Sequence, residues 1–100
     1  MKREERVAAM EQRLNRAKTV LSDTDAILSK LEAELDEIDR LDSYYGSDDW
    51  FADVEAHERG ELGGIPCGVL SEDSVYDVIT ERRELALRML ELAAKIFRGN

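Results

Sequence analysis

REERVAAMEQRLNRAKTVLSDTDAILSKLEAELDEIDRLD, residues 3–42, decides the fold. The stretch holds no Gly and no Pro. Its Val7, Met10, Leu14, Ala17, Leu21, Thr24, Leu28, Leu31, Leu35 and Ile38 follow one another at steps of three and four. A heptad seam sustained this long is the pattern of a helix lying along a partner helix. Val20, Ile27 and Leu41 stand one position before the seam and widen it, which suits a bundle better than a two-stranded zipper. At 1.5 Å rise, some 40 helical residues span roughly 60 Å. Ser22, Asp23, Thr24 and Asp25 are mediocre helix formers, and Thr24 sets a hydroxyl on the seam. That reads as a tolerated soft spot, or more sharply as a bend or register marker.

Residues 43–47 break the period, and Gly46 is the first glycine. Ser47 reads as an N-cap, with Asp48 and Asp49 in a first turn whose dipole favours carboxylates. A short helix over about 48–59 follows, stopped by Gly60. Gly60, Gly63, Gly64, Pro66 and Gly68 make residues 60–70 a loop. Ser71 is a second N-cap, opening a helix over about 72–98. This last helix carries two neighbouring apolar seams, Val75, Val78, Leu85, Met89, Leu92, Ile96 and Tyr76, Ile79, Ala86, Leu90, Ala93, Phe97, so it asks to be covered from two directions.

The expected fold is therefore all-α: a long antiparallel helical hairpin, coiled-coil-like, with a short middle helix, in one domain. A last helix of roughly 40 Å leaves about 20 Å of the first overhanging, at Val7, Met10 and Leu14. Bare heptad positions usually find a partner, so the expectation is a homodimer, two hairpins forming four helices, with Val7, Met10 and Leu14 as self-association residues.

The 100 residues carry 14 Lys and Arg against 23 Asp and Glu, a net charge of −9. Such a chain is poorly suited to nucleic acid, where Lys and Arg must neutralise phosphates. No apolar run approaches the ~20 residues of a membrane span. The charged start MKREERVAAM shows no signal-peptide h-region. One cysteine builds no disulfide framework, which fits a reducing cytoplasm. The charge is segregated. Residues 1–20 hold six basic and three acidic groups, residues 21–60 hold three and 13, residues 61–80 hold four acids alone, and residues 81–100 hold five basic and three acidic. In an antiparallel hairpin this gives a mildly basic end and a strongly acidic one, which either steers partners or simply keeps the protein soluble.

Four of the six aromatics, Tyr44, Tyr45, Trp50 and Phe51, fall within eight residues. Large rings dominate small cores, so Phe51 and at least one Tyr are expected to cap the hairpin core against Ile65, Val69, Leu70 and Tyr76. The competing reading leaves Trp50 and one Tyr partly exposed as anchors on a partner-binding face, with Tyr44, Tyr45, Asp49, Trp50 and Asp53 as the candidate partner-binding residues. Asp49, Asp53 and His57 share a helix face at steps of four and are weak metal candidates, for His57 is the sole histidine and no HExxH or EF-hand spacing exists. Cys67, in GGIPCGV, has only His57 as a possible imidazole base. No P-loop, GxGxxG or GxSxG occurs, so no catalytic residue, cofactor or enzyme activity is expected.

YYGSDDW at residues 44–50, GVLSEDSVYD at residues 68–77 and MEQRLNRA at residues 10–17 resemble a bacterial family, the domain of unknown function 4298. The resemblance runs from about Arg6 to Arg98 and implies a helical, acidic, cytoplasmic bacterial protein with no assigned activity. The leading functional expectation is a non-enzymatic, self-associating interaction module that presents its aromatic and acidic end to a protein partner. The alternatives are an acidic mimic of nucleic acid that occupies another protein's groove, and a small metal-binding protein or enzyme.

Overall fold

The computed structural model describes residues 2–99, so Met1 and Asn100 lie outside the described residues. The architecture is all-α: α1 spans Arg3–Tyr44, α2 Asp48–Glu58 and α3 Glu72–Arg98, and a 3₁₀ turn at Gly68–Leu70 precedes α3. No strand occurs among the described residues. The long first helix, short middle helix and long last helix follow the sequence pattern. Two boundaries move: α1 runs two residues past position 42, and the loop expected over 60–70 closes into the 3₁₀ turn at its end.

The helix boundaries have local causes. α1 ends where Gly46 takes φ +77°, a left-handed conformation that costs a residue with a Cβ about 1–2 kcal/mol. Ser47 then joins two helices through one hydroxyl. Its Oγ donates to the Tyr44 carbonyl at 2.6 Å and accepts from the Trp50 amide at 3.1 Å. The Tyr44 carbonyl, which also accepts the Ser47 N–H at 3.0 Å, and an orphan N–H of α2 are thereby bonded through one side chain. α2 closes with Gly60 N–H on the His57 carbonyl and Glu61 N–H on the Ala56 carbonyl, the two-bond Schellman arrangement, with Gly60 at φ +74°. Ser71 caps α3 by accepting from the amides of Asp73 and Ser74. Lys95 and Arg98 in the last turn face the negative end of the helix dipole.

The chain divides into two units, Met1–Asp36 and Glu37–Asn100. Within the second, α2 and α3 each pack on the 3₁₀ turn. Its buried hydrophobic core is Trp50 and Val75, 5 % and 2 % exposed. Arg82 ties α3 to the end of α1, with Nη1 on Asp39 Oδ1 at 2.7 Å and Nη2 on Asp42 Oδ2 at 3.1 Å.

Val7, Met10, Leu14, Leu21, Leu28 and Leu35 on α1 are exposed, as are Leu85, Met89, Leu92, Ile96 and Phe97 on α3. The heptad pattern specifies helices with an apolar stripe, and in the single chain that stripe remains in solvent. Thr24 produces no break: α1 is continuous through residues 22–25, and Thr24 Oγ1 donates to the Val20 carbonyl at 2.7 Å.

Candidate functional site

The aromatic and acidic residues of the 44–53 region are brought together with the loop before α3. Trp50 holds the third position of α2. Its indole Nε1–H donates to the Val69 carbonyl at 3.0 Å, which satisfies the single polar atom of a buried ring. Tyr45 meets Trp50 edge to face at 5.2 Å between centroids, and Phe51 meets it at 5.0 Å. The Tyr45 hydroxyl donates to the Glu72 carbonyl at 2.9 Å, so the turn just after α1 reaches the start of α3. Tyr44 donates to Asp53 Oδ2 at 2.6 Å, a charge-assisted bond between the end of α1 and the second turn of α2.

These contacts reverse two expectations. Trp50 is buried and Phe51 is 57 % exposed, whereas a core-capping Phe51 and an exposed Trp50 were expected. The bond from the indole N–H to the Val69 carbonyl holds Trp50 inward, and the two caps set the neighbouring apolar positions. Val75 stands four positions into α3 with Leu70 just before the cap, the spacing of a hydrophobic staple. Phe51 has the equivalent place in α2, but Gly46 stands before that cap and offers no apolar partner. Tyr76 and Ile65, expected to pack on the rings, are exposed, and the neighbouring Val75 takes the core position.

Tyr44 and Asp53 stand at the rim of a cleft of about 280 Å³ walled by Leu62, Ile65, Pro66, Cys67, Val69 and Leu70. The hydrogen bond to Asp53, then desolvation, then the Asp53 charge push the Tyr44 phenol up from 10 to about 12. The Cys67 thiol, half-buried, donates to the Ile65 carbonyl at 3.3 Å. His57 does not line this cleft. Asp49 and His57 are exposed on α2 while Asp53 accepts from Tyr44. No group of three His, Cys, Asp or Glu side chains is placed to hold a metal ion among the described residues.

Of the candidate partner-binding residues, Tyr44, Tyr45, Trp50 and Asp53 thus serve first to join α1, α2 and α3, and Asp49 is left free on the surface. Sequence reasoning missed Arg82 altogether. An Arg on α3 facing two carboxylates one turn apart, Asp39 and Asp42, is visible only once the chain has turned back, because the pairs span 43 and 40 residues.

An all-helical protein with a small aromatic junction and long uncovered apolar stripes is the class that fold and site define. The chain belongs to the family described as Domain of unknown function (DUF4298), whose model matches residues 7–92. No curated protein and no solved structure shows significant similarity to it. No helix among the described residues is long and apolar enough to cross a membrane.

Proposed function

We propose that the protein is a non-enzymatic helical interaction module that completes its core by self-association through the heptad seams. The observation that supports this is the exposure of the α1 stripe: Val7 and Met10 are each 54 % and Leu21 68 % exposed, while the buried hydrophobic core comprises Trp50 and Val75. Stripes of this extent mark interaction surfaces in soluble proteins. The acidic α2 then serves as the face for a protein partner, with the exposed Phe51 as its aromatic anchor. The lone Cys67 thiol fits a cytoplasmic setting.

Light scattering at micromolar concentration tests the reading. Twice the chain mass is expected, and replacing Leu14 with Asp should return the protein to one chain mass. A wild-type protein of single-chain mass would refute self-association.

A further inference from the structure

We propose that the second copy lies antiparallel along α1, about a two-fold axis between Ser22 and Asp23; this rests on the self-association reading and specifies its geometry. The seam is self-complementary under that operation. In antiparallel pairing, the two apolar positions of each heptad meet each other in layers. Leu14 then faces Leu31 of the second copy, Ala17 faces Leu28, and Leu21 faces Thr24. The next layer, Met10 against Leu35, continues the same register. Each of these pairs has positions that add to 45, so no layer in the span is left without a counterpart. A shift by one heptad in either direction strands residues at both ends.

Thr24 fits the central layer because its hydroxyl is already bonded to the Val20 carbonyl at 2.7 Å and its methyl is free to pack. The residues flanking the seam agree. Val20 comes beside Ile27 of the second copy, which accounts for two exposed apolar residues just off the seam, 54 % and 64 % exposed. Arg13 comes beside Glu34 and Lys18 beside Asp25, against two like-charged pairs, Glu11 with Glu32 and, at the helix ends, Glu4 with Asp39, which Arg82 of its own chain already neutralises.

Charge decides the direction. Residues 3–22 hold five basic and three acidic groups, and residues 23–42 hold two basic and eight acidic. Antiparallel pairing sets the basic half of each helix on the acidic half of the other. Parallel pairing would stack two acidic halves and two basic halves.

Pulsed electron resonance on spin-labelled full-length protein tests this, in a Cys67→Ser background. One label is placed at Gln12→Cys and another, in a separate protein, at Ser22→Cys. At 1.5 Å per residue, labels at position 12 should lie about 30 Å apart along the axis, while labels at position 22 should be near neighbours. Light scattering on the same samples gives their mass. A dimer with short distances at both positions overturns the antiparallel arrangement and leaves self-association standing; a monomer overturns both. As a second arm, Arg13→Glu and Glu34→Arg should each weaken the dimer by roughly tenfold, since each contact occurs twice, and the double variant should restore it. Failure of the double variant to recover affinity overturns the proposed register.

Discussion

At the scale of single residues, the hydrogen bond between Tyr44 and Asp53 makes a pH prediction of defined sign. The folded phenol sits at about 12 against an ordinary 10. Its proton is therefore held more tightly in the folded state, and the stabilisation is complete below pH 10. It fades as pH rises from 10 through about 12. In an absorbance titration at 295 nm, Tyr44→Phe should remove the component that titrates near 12. The same change should lower stability by about 1 kcal/mol at neutral pH, because a half-exposed hydrogen bond is lost without opening a cavity. Trp50 and Phe51 predict a sharper contrast. Trp50→Ala removes a buried ring and orphans its partner carbonyl, and should cost about 3–5 kcal/mol in denaturant unfolding. Phe51→Ala should stay within roughly 0.5 kcal/mol, since its ring is mostly in solvent. Equal losses at the two positions would contradict the burial pattern.

At the scale of elements, the caps carry the fold, and they were legible. Ser47, Gly60 and Ser71 each announce a helix end through chemistry confined to one turn, and the structure places caps at Ser47 and Ser71 and a left-handed glycine at Gly60. The periodicity of α1 was equally legible, because a helix's apolar spacing is set by its own geometry. Which ring is buried was not, since Trp50 and Phe51 are adjacent and the choice depends on the carbonyl of Val69, 19 residues away. The Arg82 bridge to Asp39 and Asp42 was invisible for the same reason. Ser47→Ala tests the dual cap. It removes both an acceptor for the Trp50 amide and a donor to the Tyr44 carbonyl, so its cost should exceed that of Ser71→Ala, whose hydroxyl serves α3 at longer distances of 3.3 and 3.4 Å. About 1–2 kcal/mol is expected for Ser47→Ala and about 0.5–1 kcal/mol for Ser71→Ala. Thermal melts of the two variants provide the comparison.

At the scale of the whole molecule, stability is expected to depend on concentration. The structure buries few apolar side chains within one chain and leaves long stripes on α1 and α3 in solvent. Long helices without tertiary coverage gain little from propensity alone, so packing against another copy must supply most of their stability. For a dimer that dissociates as it unfolds, a hundredfold rise in concentration adds about 2.7 kcal/mol of stability by mass action. Two copies unfold with an entropy of about 0.4 kcal/mol/K, so the midpoint should rise by about 6 °C. Circular dichroism at 222 nm, recorded at 1 and 100 μM, measures this directly. Leu14→Asp places a charge on the α1 seam and should abolish the shift while lowering the midpoint at both concentrations. A wild-type midpoint that does not move would mean that each chain is stable alone, and the seams would then need a role other than pairing.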